Sequence, residues 1–223
     1  MPLELSTMIT GVFAGKVADL WPGKPPSAIL KNRASGRQII TRTGLDRDAQ
    51  ADLSAHGGTE KALHHYPADH YPQWRQDLAV TDPDHPRFVP GGFGENLSSV
   101  GVTEEMVCIG DIFHWGTATL QISQGRQPCW KLAAHTAVPQ MAYLVQKTLR
   151  TGWYYRMIEP GEAGEGDRLV LTERPHPGYS VARVTRARLD PMLDPAEALD
   201  LSRLSALFPG WKETFAERAG ADR

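Results

Sequence analysis

Cysteine is nearly absent from this chain of 223 residues, which carries only Cys108 and Cys129. Two thiols cannot hold a four-cysteine iron–sulfur cluster. Nor can they staple a domain of this size as a secreted disulfide scaffold would. No CxxC pair and no HExxH segment occurs, so the common zinc spacings are missing as well. Neither sign of charge is in excess: 24 Lys and Arg stand against 26 Asp and Glu, a formal net charge of -2. That balance removes any global electrostatic reason to expect nucleic acid or an anionic membrane as partner. No run approaches the ~18 apolar residues of a membrane span. Met1 to Thr10 has neither the basic residue nor the apolar core of a signal peptide. The expectation is a cytoplasmic protein. Internal repeats and low-complexity tracts are lacking too.

What is present is an ordinary globular composition, 41% hydrophobic and 22% charged, long enough for one sizeable core. Through the first two thirds, short apolar stretches alternate with Gly and Pro. Thr117 to Ser123 places Ala118, Leu120 and Ile122 on one face and predicts a half-buried strand. Met106–Ile109 and Ile112–Trp115 flank Gly110-Asp111 and predict a hairpin. Further strands are predicted near Ile9–Val17, Arg37–Thr41 and Arg168–Thr172. Two helices interrupt them. Tyr71, Trp74, Arg75 and Leu78 share one face of the first. Met141, Leu144, Val145, Thr148 and Leu149 share a face of the second, with Pro139 before it and Gly152 after it. Glu173 to Gly178 holds two prolines and a glycine and reads as a linker. An extended stretch, Val181 to Val184, is predicted next. Asp194, Pro195 and Glu197 then form a capping signal, and Trp211, Phe215 and Ala219 a helical stripe. The fold class is mainly β with helices (α+β), as one domain over residues 1–175 and a small helical appendage over residues 180–223.

Polar and special residues crowd the middle of the chain. Cys129 falls on a loop past a strand, between Arg126 and Lys131. Two nearby cations favour the thiolate, the form that ligates metals, although a buried, inert cysteine fits the same position. Cys108 lies inside an apolar run and reads as core. His56-Gly57-Gly58 suits a tight turn whose N–H groups face an anion. His64, His65 and His70 are expected to be structural. Gly94-Glu95-Asn96-Leu97 is an irregular loop in which glycine permits close approach and Asn96 both donates and accepts. Lys31, Arg42, Lys61, Arg126 and Lys131 are candidate phosphate anchors. Tyr66 and Trp130 would serve equally as core packing or as stacking partners for a flat heterocycle.

The ordered set His56-Gly57-Gly58, Lys61, His65-Tyr66-Pro67, Phe93-Gly94-Glu95-Asn96-Leu97, Gly110-Asp111 and Pro128-Cys129-Trp130-Lys131-Leu132 resembles the MOSC domain, the C-terminal domain of molybdenum-cofactor sulfurases. It is most similar to the bacterial YiiM-type subgroup linked to 6-hydroxylaminopurine resistance. Residues from about Val181 to Arg218 resemble the three-helix domain that follows MOSC there. Around Asp46-Arg47-Asp48 the Gly-Asp pair expected of that subgroup is missing, although Asp48 remains.

The resemblance implies a β-barrel-like fold and a molybdenum cofactor (molybdopterin with Mo), with Cys129 as metal ligand. It carries pyridoxal phosphate binding as a further family description. Candidate catalytic residues are Cys129, Asp48 and His56. Candidate cofactor-binding residues are Lys31, His56, Gly57, Gly58, Lys61, Asn96, Arg126 and Lys131. The implied activity is reduction of a small N-hydroxylated substrate, for detoxification, with electrons from a separate donor protein. A carrier of cofactor or sulfur, without turnover of its own, is the main alternative. A cofactor-free thiol or zinc hydrolase is a third reading. Neither nucleic acid nor a membrane is expected as partner.

Overall fold

In the computed structural model of the chain, the described residues are 5–52 and 57–220. The strands are β1 (Ser6–Ala14), β2 (Asn32–Arg33), β3 (Arg37–Thr41), β4 (Gly44–Leu45), β5 (Leu63–His65), β6 (Leu97–Ser99), β7 (Ile112–Trp115), β8 (Ala118–Gly125), β9 (Trp153–Glu159), β10 (Gly161–Gly164) and β11 (Arg168–Glu173). The helices are α1 (His70–Asp77), α2 (Trp130–Thr136), α3 (Met141–Thr148), α4 (Val181–Leu189), α5 (Pro195–Ser202) and α6 (Pro209–Gly220). Seven strands run in the order β11-β7-β8-β9-β5-β6-β1, and β1 pairs back to β11, so the barrel closes and leaves no open edge. β2 extends β1, and β10, β3 and β4 form a small separate sheet. Among the described residues no helix is long and apolar enough to cross a membrane.

The strand foreseen at Thr117–Ser123 is β8, but it is buried on both faces. One face lines the barrel and α4 covers the other at Gly125, where a Cβ would stand 2.1 Å from Thr185 Oγ1. A periodicity argument reads one buried face and cannot see a helix arriving from about sixty residues downstream. The hairpin also differs. Ile112–Trp115 pairs with β8 across a turn at Gly116-Thr117, not with residues 106–109. The Gly110-Asp111 pair is instead an anchored corner. Asp111 is fully buried, accepts from the Cys108 backbone N–H at 2.9 Å and pairs with Arg174 at 2.7 Å. Cys108 is buried, as the apolar run predicted.

Val181 to Val184 is not extended. It opens α4, because Ser180 caps that helix by accepting from the Arg183 N–H at 3.1 Å. The later capping signal holds: Asp194 Oδ1 accepts from the N–H groups of Ala196 and Glu197, with Pro195 in the first turn. Trp211 and Phe215 of α6 are buried, as their stripe predicts. Leu201, Leu204, Leu207, Trp211 and Phe215 join the same apolar cluster as the barrel residues, so these helices share the barrel's core. A second cluster joins Tyr66, Tyr71, Trp74, Phe88, Phe93, Leu132, Met141 and Val145 beneath α1–α3. Tyr66 is therefore a packing residue: it is fully buried, accepts from Trp74 Nε1 at 2.7 Å and donates to the Arg150 carbonyl at 3.1 Å.

Alternation along β5 sends its two histidines opposite ways. His65 enters the core, between Tyr155 Oη at 3.2 Å and Ser99 Oγ at 2.9 Å. Burial pushes its pKa down to about 3. The unfolded chain then binds a proton that the folded chain refuses. Stability from this group is fully present above pH 6.5 and is lost as pH falls toward 3, with a slope of up to about 1.4 kcal/mol per pH unit. Urea unfolding between pH 7 and 4 should show that decline, and His65→Gln should flatten it while lowering stability at pH 7. An unchanged slope in the variant would rule out His65 as the source.

Candidate cofactor pocket around Cys129

Cys129 ends the loop after β8 and stands immediately before α2, in extended backbone geometry. A helix that the sequence analysis did not predict, α2, starts directly after Cys129 and brings Lys131 inward. Lys131 is buried and donates from Nζ to the Pro26 carbonyl at 3.1 Å. That bond ties α2 to the segment Ser27–Ile29, which forms one wall of a cavity of about 100 Å³ with Cys129 on another. Trp130 remains exposed and meets the edge of Trp21 at 5.4 Å.

The cavity gathers most of the residues singled out in the sequence. Lys31, Asp48, Asn96 and Gly57 line it, together with Lys61, Arg126, Cys129 and Lys131. Gly58 does not; it lines a neighbouring hollow with Asp48 and Gln50. His56 lies outside the described residues. Arg42 is absent from the cavity lining.

Asp48 organises one side. Its Oδ1 accepts from the Gly15 N–H at 2.8 Å and from Lys31 Nζ, and its Oδ2 accepts from Asn96 Nδ2 at 2.8 Å. The Lys31 and Asp48 side chains are only 6% and 5% exposed, so this is a buried ion pair. Burial lowers the Lys31 pKa, and Asp48 opposes that shift. Asn96 continues the chain of contacts: its Oδ1 accepts from the His64 N–H at 3.1 Å and its Nδ2 also donates to the Phe13 carbonyl at 3.2 Å. The loop carrying Asn96 is held from below by Glu95. That carboxylate accepts from Tyr71 Oη at 2.6 Å, from the Gly91 N–H at 2.6 Å and from the Phe93 N–H at 3.1 Å. Burial raises the Glu95 pKa against those bonds. Gly94 is required here, because a Cβ would sit 2.8 Å from Ile29 Cγ1 and its φ is +76°.

The opposite side is cationic. Arg126 is 8% exposed and its Nη1 has no hydrogen-bond partner among the described residues. Burial raises the Tyr154 pKa, and the Arg126 charge opposes that shift. Burial lowers the Lys61 pKa. The sequence reading missed Tyr154 and His64, which both line the cavity. They are paired in register across β5 and β9, with ring centroids 5.2 Å apart. The sequence marks His64 as structural, whereas its side chain lines the cavity. The period of two that sends His65 into the core is the signal that places His64 on the pocket side. Burial and the Arg126 charge keep its pKa well below the ordinary histidine value, so its ring is neutral. Among the described residues no group of three or more His, Cys, Asp or Glu is placed to hold a metal ion.

A closed seven-stranded barrel with a cysteine in the lining of a cation-rich cavity defines the class. Residues 52–170 match the model of the MOSC domain, and the chain belongs to that family. It is 42% identical to Protein YiiM of Escherichia coli over 164 residues, 73% of this chain and 71% of that protein. It is 39% identical to a protein named Reductase from Gibberella moniliformis over 165 residues, 74% of this chain but 29% of that protein. Among solved structures, YiiM from Geobacillus stearothermophilus superposes with a TM-score of 0.80 at 30% identity, covering 96% of this chain and 99% of that one.

Proposed function

We propose that this protein is a cytoplasmic, molybdenum-cofactor-dependent reductase that converts N-hydroxylated compounds, such as 6-hydroxylaminopurine, to the amine. The observation that supports this most is the meeting of Cys129 with Lys61, Arg126 and Lys131 in one cavity, with Arg126 Nη1 left without a partner among the described residues. A soft thiolate suits a sulfur-rich metal centre, and a buried guanidinium nitrogen lacking a partner suits an anionic ligand. Those four residues, with the Gly57 backbone, are the ones that would hold the group. When bound, the cofactor supplies the two-electron reduction that takes R–NH–OH, two electrons and two protons to R–NH₂ and water, with electrons from a separate donor protein.

The chain's own side chains supply orientation and protons. Asp48 is a positioning group, since both of its oxygens are already engaged. It fixes Asn96, which fixes the backbone of His64. Lys31 Nζ holds a proton at the cavity wall, and burial makes it easier to release than a surface lysine's. The neutral His64 ring next to Tyr154 gives a flat, uncharged wall against which a heterocycle can lie. The test uses protein verified to contain molybdenum, reduced viologen as donor and 6-hydroxylaminopurine as substrate. Adenine should form. Its absence from loaded protein would favour the carrier of cofactor or sulfur.

A further inference from the structure

Glu104, in the segment between β6 and β7, stands outside the lining of the Cys129 cavity and is 3% exposed. Its Oε1 accepts from the Gly152 N–H at 2.6 Å, and its Oε2 lies 2.8 Å from His70 Nε2 of α1. Its backbone carbonyl accepts from the Ala182 N–H of α4 at 3.0 Å. Two helices and the turn before β9 therefore meet at one residue. A carboxylate binds an N–H more strongly than a neutral acceptor does, and a buried one is costly to leave without its donors. The Gly152 peptide is pinned accordingly.

Gly152 carries that restraint to the cavity. Its carbonyl accepts from the Arg126 N–H at 3.1 Å. Its φ is +66°, and a Cβ at this position would stand 2.9 Å from His64 Nε2, so the peptide packs against the His64 ring. Arg126 and His64 both line the Cys129 cavity. Arg126 Nη1 and His64 Nε2 are buried without a hydrogen-bond partner among the described residues, so neither nitrogen holds its own side chain in place. One backbone peptide meets both residues, and Glu104 holds that peptide.

We infer that Glu104, held by His70, is a positioning residue for the Cys129 cavity: through the Gly152 peptide it sets where Arg126 and His64 stand. It is not a catalytic residue, since it does not line the cavity. The positioning itself is independent of the proposed function; its weight in turnover rests on that reading.

The first measurement needs neither metal nor substrate. In full-length protein, Glu104→Ala should shift the NMR resonances of the Arg126 backbone N–H and the His64 ring. Glu104→Gln, whose amide oxygen can still accept from Gly152, should leave them near their wild-type positions. His70→Leu, which removes the other partner of Glu104 without touching Gly152, should move the same resonances in the same direction by less, and it serves where Glu104→Ala does not fold. Asp111→Asn is the control for destabilisation alone. It weakens a buried ion pair outside the cavity lining, so it should lower stability and leave these resonances in place. In molybdenum-loaded protein with reduced viologen as donor, Glu104→Ala should raise KM for 6-hydroxylaminopurine about 10-fold and change kcat by less than about 3-fold, with most of the loss recovered in Glu104→Gln. Unmoved Arg126 and His64 resonances in Glu104→Ala or His70→Leu, equal shifts in Asp111→Asn, or an unchanged KM would each overturn the inference. Because the resonances are read without molybdenum, an inactive wild-type protein would count against the reductase reading and leave the positioning result standing.

Discussion

On the proposed cofactor-dependent function, Cys129→Ser should leave the barrel folded, strip the protein of most of the bound molybdenum and lower turnover by more than about 100-fold. The estimate is a lower bound, since altering only the outer partners of a metal ligand costs about 10–100-fold. The fold should survive because Cys129 is only half-buried and its backbone is extended, a geometry serine adopts equally well. A hydroxyl replacing a thiolate removes the soft donor while adding almost no strain. Cys108→Ser is the control. Cys108 is buried at the Asp111 corner and does not line the Cys129 cavity, so its variant should keep metal and activity. Metal analysis and viologen-coupled turnover read both outcomes. Full activity in Cys129→Ser, with a folded but inactive Cys108→Ser, would falsify the assignment.

Lys31→Met should destabilise the protein by about 3–5 kcal/mol, the usual cost of stranding one member of a buried ion pair. For a chain of this size that is a drop of roughly 10 °C in Tm. The pair is almost wholly out of water, at 6% and 5% side-chain exposure, so screening does little to soften the loss. Without Lys31, the Asp48 carboxylate keeps only the Gly15 N–H and Asn96 Nδ2 among its assigned donors. The double variant Lys31→Met with Asp48→Leu should regain most of the stability, because no buried charge is left unpaired. Asn96 would still donate to the Phe13 carbonyl. Thermal and urea unfolding of wild type, Lys31→Met, Asp48→Leu and the double variant form a double-mutant cycle. A Lys31→Met protein within about 1 kcal/mol of wild type would place this pair with weak surface bridges instead.

Local signals carried the reading where local physics decides the outcome. The Asp194-Pro195 start of α5 was legible because a side-chain cap and a proline act within one turn. The Trp211 and Phe215 stripe was legible because 3.6-residue periodicity needs only one helix. Cys129 was separable from Cys108 because one sits beside turn residues and cations and the other in an apolar run. The ordered short motifs carried the family, which the match over residues 52–170 shows.

Other readings failed for reasons that are equally physical. Val181–Val184 looks extended in isolation, because β-branched residues favour strands, yet Ser180 caps a helix there and that helix finds a seat against Gly125. The short α2 was hidden behind the loop residues that precede it. His64 and His65 are the same residue type one position apart, and only the closing of β5 between β6 and β9 sends one to the cavity and the other to the core.

The sequence by itself determined which segments turn, cap and alternate, and which thiol stands among polar residues. Only the tertiary structure decided that Lys31, Asp48 and Asn96 form one buried network, and that Glu104 comes to hold the Gly152 peptide. Those partners lie from 17 to 48 positions apart in the chain. Their meeting depends on barrel closure and helix docking, which are set by the free energy of burying a whole core and not by any window of neighbouring residues.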